Sequence, residues 1–499
     1  MEKKIFPHTI IIHYSGELSI KGPGNFQQFV SRLMNRIRHN LQKRGVRFSL
    51  KQDFSRLMLF VDHREKSLGA LSKIFGIGPY SPVEISTESE LSSIISASQK
   101  MIPAICNKRF AVRARRTGET AFKTPEVERA VGAVLAPYGK VDLNRPEKTV
   151  YVETINRKTH LFCERIPGPG GLPLNGRDRC LTLFSGGFDS PVASWQMMKR
   201  GVACDYLFCN MGGKSHERQT VQVAKVLHDL WASGSKSHLM VVDFHPAIEA
   251  IKKLVSDPYR QVILKRVMYR VAEKAAAFLK SKAIITGESL GQVSSQSLQN
   301  IKVIDNACSF PVLRPLIGSN KEEIIRLAYK IGTGYLSEKI VELCGISRGQ
   351  PATNAKYGRV LDWEKDLPKD LEETIWLSQK TISLDDVELG PLRGSYLLVD
   401  GFDPEAKIID CRDLDEKKSW AVPNALHIPF EQLKRDYRTL DRDKKYIIYC
   451  TLGAKSPYIA ELMQQSGREA YAFDGGIKKA QKTYEKSGLG IEGGFRIGS

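Results

Sequence analysis

The 499-residue chain has no apolar run approaching the roughly 18 residues that a membrane span needs. Its first residues, Met1-Glu2-Lys3-Lys4-Ile5-Phe6-Pro7, enter a short strand without the apolar core of a secretory signal. No membrane partner is expected, and the expected compartment is the cytoplasm. There is no Cys-x-x-Cys either: nine cysteines, an odd number, scatter from Cys106 to Cys450, which fits neither a disulfide scaffold nor a zinc site. Most should be buried thiols. Also missing is Gly-x-x-x-x-Gly-Lys-Ser/Thr, so transfer of a terminal phosphoryl group is disfavoured. Acidic residues are in deficit, 55 against 75 Lys and Arg, for a net charge of +20. Residues 1–165 carry 28 basic and 15 acidic side chains, a net of +13, which points to a polyanionic partner.

What the chain does have is a loop, Ser185-Gly186-Gly187-Phe188-Asp189-Ser190, that joins the apolar strand ending in Leu183 and Phe184 to a helical start. Two glycines permit tight turning and close backbone approach. Ser185 and Ser190 add hydroxyls around amides that point from a helix N-terminus toward an anion. Ser-Gly-Gly-x-Asp-Ser resembles the pyrophosphate loop of ATP pyrophosphatases, which cleave between the α and β phosphates and pass AMP to a substrate oxygen. That resemblance implies ATP as cosubstrate and Asp189 as a ligand of Mg²⁺.

A length of 499 residues implies about three domains. A strand over 9–13, a helix over 25–42 and strands over 47–51 and 57–61 suggest a small ferredoxin-like α+β unit, residues 1–60. A second unit, 61–165, holds the strand Phe110-Ala-Val-Arg-Ala-Arg-Arg116, where Arg113 and Arg115 point to one face and could meet phosphates. With Pro125-Glu-Val-Glu-Arg-Ala-Val-Gly132 and Val141-Asp-Leu-Asn-Arg-Pro146 it resembles a THUMP domain, an RNA-binding α/β module. Arg113, Arg115, Arg116 and Lys123 are its candidate RNA contacts.

Residues 166–176, rich in Gly and Pro, form a linker. In the next unit, 177–385, strands and helices alternate from Cys180 to about Ile331, which argues for a doubly wound parallel sheet with its ligand at the strand C-termini. Thr286-Gly287-Glu288-Ser289 should end a strand there, Gly287 letting the backbone meet adenine or ribose, while Gln296 offers an amide. Lys265 and Arg266 lie on a helix that could bring a cation toward a triphosphate. Lys321, at a helix start, is a candidate for stabilising transition-state charge. Residues 364–386 are acidic and poorly patterned and read as an interdomain segment, followed by a linker at 386–399 and a last βα unit over 400–485.

Cys450 ends an apolar strand and opens Cys450-Thr-Leu-Gly-Ala-Lys-Ser456 before a helix. A thiol there feels the positive helix end and a ring of amides, so its pKa should fall. Phosphatase chemistry would need an arginine at the sixth position after the cysteine, which here is Ser456, so sulfur transfer is favoured. Ile409-Asp-Cys-Arg412, Ala425-Leu-His-Ile-Pro429 and Phe473-Asp-Gly-Gly-Ile477 resemble the motifs of rhodanese-like domains. Cys411 stands where that family has an aliphatic residue and reads as packing. Cys344, in Val341-Glu-Leu-Cys-Gly-Ile-Ser347, is by local physics a half-buried thiol.

THUMP-like module, pyrophosphatase loop and rhodanese-like cysteine, in that order, resemble the long bacterial form of the tRNA 4-thiouridine synthetase family. The resemblance implies adenylation of O4 of a tRNA uridine, at position eight in the family, followed by displacement of AMP by sulfur at C4. It implies a persulfide on Cys450, loaded by a cysteine desulfurase, that either attacks C4 directly or releases sulfide, with Cys344 as the resolving thiol that forms a disulfide with Cys450. It further implies sulfur supply, through a carrier protein, to the thiazole of thiamine. The 106 residues between the two thiols imply that the last domain swings over the nucleotide site, with a hinge near 385–400, or reaches that of a second copy in a homodimer. Alternatives are a pyrophosphatase that uses ammonia or another sulfur acceptor, and an RNA-binding protein with a degenerate catalytic domain.

Overall fold

The computed structural model describes residues 6–53, 56–118, 120–340, 346–347, 349–388, 397–413, 420–453 and 455–486. Cys344, and with it the expected disulfide, lies outside the described residues, as does 389–396 of the expected hinge. The chain divides into two compact units, one running to Asn175 together with Met198–Gly201, the other from Gly176 onward.

In the first unit, β1 (His8–Tyr14) carries three consecutive isoleucines, all fully buried at the middle of a sheet. The helix Pro23–Lys43 begins with a proline, whose fixed φ and missing N–H suit that position, and packs Val30, Leu33, Ile37 and Leu41 into the same core. β2 (Phe48–Asp53), β3 (Arg56–Val61) and β4 (Ile77–Val83) complete the antiparallel order β2-β3-β1-β4. The boundary expected near residue 61 therefore falls inside the connectivity of this sheet. A glycine and two prolines disguise β4 as loop, and an edge strand tolerates them.

A second, five-stranded sheet of mixed direction follows. It contains β5 (Ile85–Glu88), β6 (Arg109–Thr117), β7 (Lys140–Val141), β8 (Lys148–Ile155) and β9 (Lys158–Phe162), in the order β5-β9-β8-β6-β7. β6 runs parallel to both neighbours, and the helices Leu91–Ser98 and Thr124–Leu135 cover it through Ile94, Val127, Val131 and Leu135. The two sheets are tied by a buried ion pair, Arg56 to Glu153 at 2.6 Å, with His13 3.3 Å from the same carboxylate. Desolvation lowers the Arg56 pKa while Glu153 opposes that shift, so neither partner is tolerated without the other.

The second unit holds the expected doubly wound sheet. Its strands are β10 (Asn175–Leu183), β11 (Val202–Asn210), β12 (His238–Asp243), β13 (Ile284–Ile285), β14 (Val312–Leu313) and β15 (Lys380–Ser383), ordered β14-β13-β10-β11-β12-β15. The chain moves outward from β10 through β12 and then returns to place β13 on the other side of β10. That reversal opens a crevice at the carboxyl ends of β10 and β13. Residues 364–386 are not an interdomain segment: they contain the helix Leu371–Leu377 and β15, which adds an antiparallel edge to β12. Their acidity is spent locally, since Glu364 binds Arg266 and Arg270 at 2.9 and 2.8 Å.

The last sheet takes β16 (Leu398–Val399), β17 (Lys407–Asp410), β18 (Leu426–His427), β19 (Lys445–Tyr449) and β20 (Glu469–Phe473) in the all-parallel order β16-β20-β19-β17-β18. The helix Lys455–Gln465 follows β19 and buries Ile459, Ala460 and Met463. Among the described residues, no helix is long and apolar enough to cross a membrane.

Candidate functional site

At the reversal point lies a cavity of about 520 Å³ lined by Leu183, Phe184, Ser185, Asp189, Ser190, Lys265, Gly287 and Gln296, together with residues that the sequence did not single out. Gly186 and Gly187 shape the loop from outside this lining. Gly186 has φ +79, and a Cβ there would sit 3.2 Å from the Thr220 backbone. The turn is closed by Ser185, whose N–H donates to Ser190 Oγ at 3.2 Å, and by Thr220 Oγ1, which donates to the Ser185 carbonyl at 3.2 Å. Gly287 packs so tightly on the start of the helix Asp189–Lys199 that a Cβ would lie 2.9 Å from Asp189 atoms. Only glycine lets the chain after β13 approach that helix start so closely.

Asp189 is held by Lys321, whose Nζ donates to both carboxylate oxygens at 2.9 and 3.0 Å. Lys321 opens the helix Lys321–Ile331, where Asn320 and Glu323 form a reciprocal cap. It is half-exposed rather than buried, and its ammonium also lies 6.0 Å from the Phe188 ring centre. Two carboxylates, Asp189 and Glu288, line the cavity, and Mg²⁺ is an ion that one or two carboxylates and several waters can hold.

The expected cations are used differently. Lys265 reaches the cavity, but its Nζ donates to Glu288 Oε1 at 2.6 Å. Glu288 also accepts from Arg314 Nε at 2.8 Å, Tyr269 at 3.0 Å and Thr286 at 3.2 Å. Burial alone would raise its pKa, but Lys265 and Arg314 overcome that and lower it to about 2. Arg266, the neighbour of Lys265, points away to Glu364 and is structural. Gln296 is buried at the wall with its Oε1 unpartnered among the described residues, which suits an amide waiting for a ligand donor.

His216, missed from the sequence, also lines the cavity. Burial lowers its pKa to about 4, so it is neutral at pH 7, and its ring meets Phe208 edge-on at 4.8 Å. The available signal was its place in the first turn of the helix Gly213–Leu227, after the carboxyl end of β11.

The second centre is Cys450, 2 % exposed. Its Sγ lies 3.5 Å from Ser456 Oγ. A hydrogen bond from Cys411 and others from the Ser456 hydroxyl and the Ser456 and Lys455 amides outweigh desolvation and lower its pKa to about 6. The loop rests on 473–477, with the Ile477 amide donating to the Thr451 carbonyl at 3.0 Å. Asp410 and Arg412 form a buried ion pair at 2.7 Å below it.

The helix Lys455–Gln465 also packs against the helix Gly213–Leu227 of the preceding sheet. Glu461, on Lys455–Gln465, accepts from the amides of Lys214 and Ser215 at 2.9 and 2.8 Å, at the N-terminus of Gly213–Leu227. A carboxylate is favoured there by the orphan amides and the helix dipole.

In the first unit, Arg113, Arg115, Arg116 and Lys123 are all exposed. Arg113 donates to the Leu143 carbonyl at 2.6 Å and Arg116 to Thr120 Oγ1 at 3.1 Å. Lys123 precedes the helix Thr124–Leu135.

Comparison with known proteins gives four family matches along the chain: the ThiI ferredoxin-like domain over 9–81, the THUMP domain over 90–164, the thiamine biosynthesis protein (ThiI) over 176–368, and the rhodanese-like domain over 398–483. A tRNA sulfurtransferase of Desulfurococcus amylolyticus is 35% identical, covering 96% of this chain and 99% of that one. A tRNA sulfurtransferase of Thermoplasma acidophilum is 33% identical, covering 96% and 97%. Among solved structures, a 4-thiouridine synthetase–RNA complex with bound ATP matches with a TM-score of 0.66 and 28% identity, over 75% of this chain and 99% of that one.

Proposed function

The chain belongs to the tRNA sulfurtransferase family, and from that premise we propose that it makes 4-thiouridine in tRNA, at position eight, in two chemical stages served by its two centres. In the first, O4 of the uridine attacks the α-phosphorus of ATP and pyrophosphate leaves. The loop 185–190 cradles the phosphates, Gly287 and Gln296 receive the nucleoside, and Asp189 would hold Mg²⁺, which would neutralise phosphate charge. Lys321, 2.9 Å from Asp189, is placed to stabilise the developing charge. Lys265 keeps Glu288 ionised at the wall, and neutral His216 keeps an uncharged donor or acceptor beside the loop.

In the second stage the Cys450 thiolate attacks the outer sulfur of a persulfide on a cysteine desulfurase, and the electron pair leaves with the desulfurase cysteine. The outer sulfur, now on Cys450, attacks C4 and AMP departs. A thiolate at Cys344, from the same chain or a second copy in a homodimer, then attacks Cys450 Sγ. A Cys344–Cys450 disulfide forms, the thiolated base is released, and an external dithiol reduces the enzyme. The same Cys450 persulfide would supply the sulfur-carrier protein of thiamine synthesis, a role supported by the family match over 176–368. Arg113, Arg115, Arg116 and Lys123 bind tRNA phosphates.

The observation that carries this reading is the coexistence of the Asp189–Lys321 pair at a nucleotide-sized cavity with a thiol whose pKa is lowered to about 6. Mass spectrometry of tRNA nucleosides tests it, after incubation with ATP, Mg²⁺, cysteine and a desulfurase. Wild type should yield 4-thiouridine, and absence of the nucleoside with full pyrophosphate release would point to a different acceptor. Binding through about six phosphates should weaken roughly a thousandfold between about 50 and 200 mM salt. A flat salt profile removes the basic face from the reading.

A further inference from the structure

Cys411, which reads in the sequence as an ordinary packing residue, stands directly beside the reactive cysteine. β17 and β19 run parallel with Asp410 opposite Tyr449, and the next residues along the two strands are Cys411 and Cys450. The Cys411 amide donates to the Tyr449 carbonyl at 3.0 Å, which continues that register past the last ladder pair. Both side chains enter the same apolar cluster, with Ile409, Ile448 and Ile459, and Cys411 is 0 % exposed. Paired residues of parallel strands share a face, so the two thiols are held side by side and away from water.

We propose that Cys411 is a positioning residue for sulfur transfer, its S–H held against Cys450 Sγ so that the Cys450 sulfur waits as a thiolate. This deepens the sulfur-transfer reading and rests on it.

Which of two neighbouring thiols keeps the proton is decided by what else each one faces. Cys450 receives the amides of Lys455 and Ser456 and the Ser456 hydroxyl from the helix that follows it. The Lys455 ammonium is itself engaged with Asp413 at 2.8 Å. Cys411 feels the charge of the Asp410 carboxylate, its neighbour in the chain and itself paired with Arg412, and a carboxylate opposes a second negative charge. The hydrogen bond with Cys450 and burial push the Cys411 thiol well above its ordinary pKa. Cys411 is therefore the donor and Cys450 the acceptor. During loading, Cys450 Sγ forms a bond to the outer sulfur of the donor persulfide and the donor's own S–S bond breaks, its electron pair leaving on the donor cysteine. Cys411 keeps its proton throughout and is neither oxidised nor consumed.

The test is the pH dependence of Cys450 alkylation in the full chain, using short iodoacetamide pulses and quantifying the Cys450 peptide by mass spectrometry. Wild type should show a midpoint near 6. Cys411→Ala should raise the midpoint by about one to two pH units, so that alkylation at pH 6 falls about tenfold or more. Cys411→Ser keeps a donor and should stay within about half a unit of wild type. An unchanged midpoint in Cys411→Ala overturns the proposal, and so does a Cys411→Ser midpoint that moves as far as that of the alanine variant. Should Cys411→Ala not fold, Cys411→Val removes the donor while filling the space and carries the same expectation. No tRNA, ATP or desulfurase is present, so failure here leaves the thiolation assay untouched, and failure of thiolation leaves this midpoint to be read independently.

Discussion

The loop 185–190 and the loop 450–456 both leave the carboxyl end of a buried parallel strand and turn into a helix, yet they handle negative charge in opposite ways. In the proposed function the first receives an anion from outside, and its surroundings are arranged in paired charges: Asp189 with Lys321, Glu288 with Lys265 and Arg314. The second makes its own anion, with the thiolate of Cys450 held by Cys411, Ser456 and two amides. A phosphate-binding site must keep cations near without letting them collapse on one another, so carboxylates hold them. A nucleophile needs its charge unquenched, so it is met by hydrogen-bond donors rather than by a salt bridge. The same turn geometry serves both because exposed amides at a helix start accept either kind of anion.

The sharpest way to break this division is to silence each centre separately. Cys450→Ser should abolish desulfurase-dependent 4-thiouridine while pyrophosphate release stays within about twofold, since the hydroxyl cannot carry persulfide sulfur. Asp189→Ala should lower pyrophosphate release by about 10² to 10³ and leave the Cys450 alkylation midpoint near 6. If either variant silenced both assays, the two centres would not be chemically separate.

A next effect concerns Glu288 alone. Glu288→Gln leaves Lys265 and Arg314 without their buried carboxylate and should cost about 3–5 kcal/mol, read as an earlier urea transition. Because its pKa falls from 4.5 to about 2 on folding, its contribution is full above pH 4.5 and is lost as pH drops from there toward 2. Acid titration of unfolding should show that loss in wild type and not in the glutamine variant.

Persulfide loading sharpens the contrast from the other side. With a Cys450 midpoint near 6, the loading rate should be level above pH 7 and fall about tenfold per unit well below 6. A rate that keeps rising to pH 9 would mean an unactivated thiol. The smallest expected effect is that of Glu461→Gln, which removes a charge from the helix start at Lys214 and Ser215. A change of about 1 kcal/mol, seen as faster hydrogen exchange at those two amides, is expected. Unchanged exchange would mean that the carboxylate charge contributes nothing to that contact.

Much of this was legible in the sequence wherever the information is local. The loop 185–190, the apolar spacing of Leu33, Ile37 and Leu41, and the strand–cysteine–helix order at Cys450 are patterns over a few residues, and backbone chemistry reads them directly. β4 was hidden because its glycine and prolines advertise a loop, and only its edge position makes them tolerable. The segment 364–386 looked like a solvated acidic spacer because its partners, Arg266 and Arg270, lie almost a hundred positions earlier. Lys265 does line the cavity, but its partner Glu288 is invisible from a helix alone.

By itself the sequence determined the kind of chemistry, because a Gly-Gly turn with flanking hydroxyls and a thiol at a helix start are set by stereochemistry and by the backbone dipole within one turn. It also determined the presence of a basic first third. Tertiary structure alone decided how charge and protons are shared: which cation Glu288 takes, that Lys321 lies on Asp189, and that Cys411 stands beside Cys450. Those outcomes depend on strand order and burial, and Coulomb and hydrogen-bond energies become decisive only where folding has removed water and brought distant residues within a few ångströms.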